Sequence, residues 1–158
     1  MIADALKQLS YSLVLLVLIY AGIGRAANDE PFPNLLDLIQ GHSLKCGFSV
    51  VSQTYWENGN LTIKTETEQD FLLHFDSIDI QRNHARLVGN LGAVDVSLLL
   101  TGGTLSFLET TANGGVNLTT IFPRYRNESH EFIAVTSRHL SVFGPFSSQH
   151  HGSCRIWE

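Results

Sequence analysis

The sequence is short of positive charge and of cysteine, and it lacks every compact catalytic motif. Lys and Arg number 10 against 15 Asp and Glu in 158 residues. No basic run is present to neutralise phosphates, which argues against nucleic-acid binding. The acidic balance favours solubility and says little more. CxxC, HExxH and HxxxH are all missing, and so is GxSxG. That removes the dense zinc spacings and the nucleophile elbow. After residue 42 no stretch carries a helical period, which argues against a parallel α/β fold. There is no low-complexity linker and no repeat beyond the spacing of short β runs.

One apolar run, YSLVLLVLIYAGI at residues 11–23, is shorter than the roughly 20 residues of a membrane-spanning helix. Lys7 precedes it and the small residues of GRAA follow. This is the layout of a secretory signal, although Asp4 weakens its basic start. Cleavage after Ala26 puts Gly24 and Ala26 at the two positions that must be small, whereas cleavage after Ala27 would put Arg25 in one of them. The alternative is an uncleaved anchor. No cysteine lies near the cleavage point, so a lipid-anchored N-terminus is not expected. Three parts follow: a signal peptide at 1–26, a polar segment with a short helix at 27–42, and a β domain at 43–158. The mature chain of 132 residues keeps 8 basic and 14 acidic side chains once Asp4, Lys7 and Arg25 are removed. The expected location is outside the cytoplasm, periplasmic or secreted, with no membrane span after cleavage. The only cysteines, Cys46 and Cys154, both fall in the exported part. An even count in an exported chain predicts a disulfide between them. Sequons at Asn60, Asn117 and Asn127 matter only in a glycosylating source.

LLDLIQ at 35–40 places Leu35, Leu36, Leu38 and Ile39 on one side of a short helix. Gly41 offers a left-handed stop. From Ser43 the pattern changes to runs rich in Val, Ile, Leu, Phe and Thr, about ten residues apart. They begin with SLKCGFSVVSQTYW, NLTIKTET and FLLHFDSIDI, continue through HARLVGN, AVDVSLLL, TLSFLET, VNLTTIF and EFIAVTSRH, and a ninth is allowed near the C-terminus. Period-two alternation, as in Val116, Leu118 and Thr120 against Asn117, Thr119 and Ile121, gives each run a packed and a wet face. NGG at 113–115 and TGG at 101–103 are hairpin turns. The predicted fold is all-β: a compact antiparallel meander of about eight strands, closed as a barrel or split as a sandwich. On this reading GPF turns the chain and SSQHHGSC runs back beside the first strand, with Gly152 giving room near the disulfide.

The segments IDIQRNHARLVGNLGAVDV, LSFLETTANGGVNLTTIF, AVTSRH and SSQHHGSC, spanning about residues 70–154, resemble small uncharacterised exported bacterial proteins. In that pattern a strand ends in Ser-Arg-His, and a Ser-Gln pair leads through glycine to a terminal cysteine. The resemblance implies an envelope or secreted location. It implies no activity, cofactor or catalytic residue.

Three chemistries remain open. His139, His150 and His151 lie within thirteen residues and near Cys154, but neighbours on a strand point to opposite faces, so His150 and His151 share an ion only from a loop. The bland alternative is exposed loop histidines beside a disulfide cysteine. Ser137, Ser147 and Ser148 lie near histidines, with Asp76, Asp79 or Glu109 as orienting carboxylates, yet a triad is a matter of geometry. Arg138 and Glu109 each end an otherwise apolar strand. Facing inward at one mouth they would form an ion pair, or Arg138 would grip an anion with two parallel hydrogen bonds. Asp76, Asp79 and Arg86 are read as a salt bridge or a solvated face. The leading expectation is an exported, non-catalytic binding protein for a small ligand or an envelope partner, with Arg138, His139 and Glu109 as ligand-binding candidates. No catalytic residue, metal or cofactor is assigned. An envelope hydrolase using the C-terminal Ser/His/Arg set and a metal-binding protein are the alternatives.

Overall fold

The computed structural model describes residues 34–89, 92–126, 130–141 and 144–157, with residues 68–70 as backbone only. The expected signal peptide and its cleavage point lie outside the described residues. Helix α1 (Leu35–Gln40) leads into β1 (Leu44–Glu57), β2 (Asn60–Asp79), β3 (His84–Gly89), β4 (Gly92–Thr101), β5 (Thr104–Thr110), β6 (Val116–Tyr125), β7 (Phe132–Leu140) and β8 (Phe146–Ile156). Each strand pairs antiparallel with its sequence neighbour, and β8 returns to β1, so the sheet closes into an eight-stranded barrel. Closure decides between the barrel and the sandwich. Among the described residues no helix is long and apolar enough to cross a membrane.

The runs NLTIKTET and FLLHFDSIDI form one strand, β2, of 20 residues. The charged stretch between them is an irregularity opposite Ser49, where the β1–β2 register steps from Phe48↔Phe71 to Val50↔Thr67. Extra residues bulge from a strand without ending it. The tip of this hairpin turns at Asn58 and Gly59, with φ of 51° and 80°, the left-handed pair of a tight hairpin turn. NGG and TGG join β5 to β6 and β4 to β5, as their composition predicts.

Helix α1 covers one end of the barrel. Only Leu38 on it is fully buried, and Leu36 is exposed. Gly41 ends the helix in an extended conformation (φ −70°, ψ 122°), not a left-handed one. Its lack of a side chain is used for packing: a Cβ there would come within 3.2 Å of Ile156 Cγ1. The Tyr125 hydroxyl donates to Asp37 Oδ2 at 2.6 Å, tying the helix to β6.

The seam between β1 and β8 is held by the Cys46–Cys154 disulfide, and the two cysteines are direct register partners. Two residues away Gly152 faces Phe48 across the same seam. A Cβ on Gly152 would lie 2.0 Å from the Gly47 carbonyl oxygen and 2.7 Å from Phe48 Cα, so only glycine lets the strands meet. SSQHHGSC therefore runs beside the first strand, as expected. The core around the seam holds Leu44, Phe48, Phe75, Leu98, Leu105, Phe107, Ile121 and Phe132, all buried, with Phe75 and Phe107 stacked at 4.0 Å between ring centroids.

Two outcomes follow. The disulfide closes a sequence separation of 108 residues, for which chain entropy gives on the order of 4 to 5 kcal/mol. Unfolded, unreduced protein should show no free thiol in a thiol count. Cys46→Ser and Cys154→Ser should each lose a large part of that stability in urea melts, and Gly152→Ala should lose several kcal/mol from backbone overlap, on the order of other overpacking changes. The second concerns Tyr125, whose hydrogen bond to Asp37 pushes its hydroxyl pKa up from 10.0 to about 12. The folded state holds this proton more tightly than the unfolded state does. The stabilisation is therefore present below pH 10 and is lost as pH rises towards about 12. Tyr125→Phe should lower the melting temperature at neutral pH and flatten the stability profile across that alkaline window.

Candidate functional site

Register partners on adjacent antiparallel strands share a face, so the pairings of β5 to β8 and β1 stack the barrel interior into layers. Nearest α1, Phe132, Cys154 and Cys46 lie abreast, followed by Leu105, Ile121, Ala134, Gly152 and Phe48. The next layer is mixed: Phe107, Thr119, Thr136, His150 and Val51. The layer farthest from α1 is polar throughout: Glu109, Asn117, Arg138, Ser148 and Gln53. The inward series of each of these strands thus runs from apolar to polar along the barrel axis.

In the polar layer Asn117 stands between two charges. Its Nδ2 donates to Glu109 Oε2 at 2.6 Å, and its Oδ1 accepts from Arg138 Nε at 3.4 Å. A flipped amide would set like against like at both ends, so the network fixes the amide orientation. Glu109 and Arg138 do face one interior, as the sequence suggested, but they meet through Asn117 and not as a direct pair. Among the described residues this long Nε contact is the only hydrogen bond of the Arg138 side chain, which leaves its two terminal amino groups for another acceptor. Its guanidinium carbon lies 5.5 Å from the centroid of the Phe71 ring. One layer down, Thr119 donates to Thr136 at 2.9 Å and closes both hydroxyls inside the wall. Every buried side-chain polar atom among the described residues has a partner.

These residues line a cavity of about 240 Å³. Phe71, Leu73, Phe75, Leu87, Val96 and Phe107 form its apolar wall, and Glu109, Asn117, Thr119, Thr136 and Arg138 its polar one. The volume is below the usual range for drug-sized ligands, so the space suits a small molecule.

The remaining candidates separate. His139 points outward and lines a surface groove with Trp56, Leu140 and Phe146, away from Arg138. His150 and His151 are strand residues of β8 and not loop residues. His150 is buried inside, where its ring packs 4.6 Å from Phe71 and Nε2 is 3.0 Å from Ser148 Oγ. His151 is exposed outside. Strand alternation therefore parts the histidines, and no group of three metal-ligating side chains occurs among the described residues. Ser137 and Ser147 face outward with the rest of their alternating sets, and Ser148 faces inward. Asp76 and Arg86 are cross-strand partners joined by two hydrogen bonds of 2.8 Å, which hold the Asp76 carboxyl below its ordinary range. Asp79 caps the following turn by accepting from the Arg82 amide. Both are structural. The sequon at Asn117 points into the barrel and is spent on Glu109 and Arg138, so it offers no glycan site, while Asn127 lies outside the described residues.

Sequence reasoning missed Asn117, Phe71 and the Thr119–Thr136 pair. The alternation of β6 separates two sets, and the register makes Asn117, Thr119 and Ile121 the inward one, with Val116 and Leu118 exposed. No protein-family model, curated protein or solved structure matches this chain.

Removal of the bridge tests the polar layer. Asn117→Leu should cost about 1 to 3 kcal/mol in urea melts, because a half-buried carboxylate and guanidinium each lose a partner. Combining it with Glu109→Gln should recover part of that loss.

Proposed function

We propose that this is an exported, non-catalytic binding protein whose barrel holds one small amphipathic ligand. Its apolar body would lie among Leu73, Phe75, Leu87, Val96 and Phe107, and its head among Glu109, Asn117 and Arg138. The observation that carries this reading is the state of Arg138. Its guanidinium lines a small, mostly apolar cavity with its terminal amino groups unspent, held off from Glu109 by an intervening amide. An arginine so placed suits a carboxylate or similar anion, gripped by two parallel hydrogen bonds. Glu109 accepts from Asn117 at Oε2, which leaves Oε1 to accept from a donor on the same ligand. The head would therefore carry an anionic group with a hydroxyl or amine nearby. Export is supported by the signal-like N-terminus and by a disulfide, which persists outside the reducing cytoplasm. The resemblance to small exported bacterial proteins points the same way, to a periplasmic or secreted protein.

An envelope hydrolase is the second reading. It is favoured by one contact, the 3.0 Å hydrogen bond between Ser148 and His150. Both side chains are only 4% exposed and lie outside the cavity lining, so a substrate would reach Arg138 before it reached the serine.

Native mass spectrometry of the purified protein should show a retained small molecule, or an empty site that accepts one. In thermal shift and calorimetric titrations, short-chain hydroxy and amino carboxylates should stabilise the protein, and the matching alcohols should do so much less. Arg138→Gln should weaken carboxylate binding by about tenfold or more, the worth of a charge-assisted hydrogen bond. Equal affinity in Arg138→Gln, or no binding by any member of the panel, would refute the reading. Ester turnover abolished by Ser148→Ala would establish the hydrolase instead.

A further inference from the structure

Strand β2 has two very different sides. Along one it pairs with β1 from Asn60 to Phe75. Along the other it meets β3 only from His74 onward, because β3 is six residues long and β2 is twenty. Among the described residues no strand pairs with Asn60–Leu73 on that side. A closed barrel normally leaves no edge, yet among the described residues this one carries a long unpaired one. Its outer face is apolar where a lone edge is usually blunted: Leu61 is 53% and Ile63 67% exposed, and Trp56, across from Leu61, is 58% exposed. The other face holds Lys64 and Glu66, two residues apart, in an ion pair within the strand.

We propose that this edge pairs with the same edge of a second copy of the chain, antiparallel about a twofold axis through Thr65. The charges select that register. When a strand pairs with itself about an axis normal to the sheet, facing residues must share a face, so one residue on the axis meets its own copy. An axis at Lys64 sets lysine against lysine, and one at Glu66 sets glutamate against glutamate; like charges directly opposite are unfavourable. An axis at Thr65 instead faces Lys64 of each copy with Glu66 of the other. It also sets Ile63 against Thr67 and Thr65 against Thr65, a favoured hydroxyl pair. An axis at Ile63 leaves both charges unpaired with an opposite charge. Because the axis makes the interface isologous, it closes at two copies and does not propagate into a fibre. The backbone groups of the edge then find partners, and the strand register is fixed by charge, as flat edges otherwise require.

Light scattering and sedimentation of the purified full chain should give the mass of a dimer. Lys64→Glu and Glu66→Lys should each weaken the dimer about tenfold or more, since each sets like charges opposite at two places. The double variant Lys64→Glu/Glu66→Lys restores opposite charges and should restore the dimer. Both substituted side chains are solvent-exposed, and an unchanged cooperative thermal melt reports that the barrel has folded. Thr65→Cys should cross-link copies through a disulfide under mild oxidation, whereas Ile63→Cys and Thr67→Cys should not. A monomer at all concentrations overturns the proposal, whether the edge is left bare or covered by the chain's own N-terminal segment. So does a dimer indifferent to the single reversals, or cross-linking at Ile63→Cys in place of Thr65→Cys.

Discussion

The pairing of β1 with β8 is the constraint on which the rest depends. Every other pairing in the meander joins neighbours in sequence through short turns and costs little loop entropy. This one joins segments separated by about the whole domain, and the entropy of that closure must be met before any interior contact exists. The disulfide removes much of it from the unfolded side. Gly152 removes a steric bar on the folded side, because a Cβ there would overlap the backbone at Gly47 and Phe48. The same absence of a side chain leaves the space in that layer to the Phe48 ring, which is buried at the seam and lies 5.5 Å from Phe71. A chain link and a missing methyl group thus act on the same few ångströms of seam from opposite states.

Closure converts strand alternation into a vessel. Once β8 lies against β1, the inward residues have no exit to solvent sideways, and their polarity must be settled among themselves. Near α1 this is done with Leu105, Ile121, Phe132 and the disulfide. Towards the other end it is done with matched pairs: Thr119 with Thr136, Ser148 with His150, and Asn117 between Glu109 and Arg138. A direct Arg–Glu pair would satisfy both charges and leave neither for a ligand. An intervening amide satisfies them in part, at the cost of one residue that could have been apolar. That choice is poor for a core built only for stability, since well-packed apolar side chains often do as well as a buried pair or better. It is a sensible one for a site.

Much of the fold was legible because its signals are local. Turn pairs such as Asn58–Gly59 and Gly102–Gly103 state a backbone conformation outright, period two states a sheet, and the two cysteines of the sequence form one bond. The count of runs misled only at residues 68–70, which separate two runs in the sequence but bulge within one strand, β2. The site was half legible. Arg138 and Glu109 stood out as charges at the ends of apolar strands, and they do share an interior. Asn117 did not stand out, because hydropathy assigns Val116 and Leu118 to the inside, and the register of β5, β6 and β7 assigns Asn117 and Thr119 there instead. Register is a long-range property, fixed by which strand lies opposite, and no window on β6 alone contains it. His139 is excluded from the cavity for a local reason: one residue from Arg138 on β7, it faces the other way.

The hairpin β1–β2 joins these features. It is longer than any other in the sheet, and its two edges have opposite fates. The β1 edge is taken by β8 and carries the covalent seam. On the other edge of β2, no strand among the described residues of this chain pairs with Asn60–Leu73, and within that stretch Phe71 and Leu73 line the cavity. Part of the cavity wall is therefore a strand that, among the described residues, is paired on one side only. Sheet strands held on both sides open with difficulty, whereas stretches with few backbone partners open at low free energy. The apolar floor lies under the disulfide seam and helix α1, where opening would expose the packed core. The polar layer lies at the other end, where Glu109, Asn117 and Arg138 line the cavity.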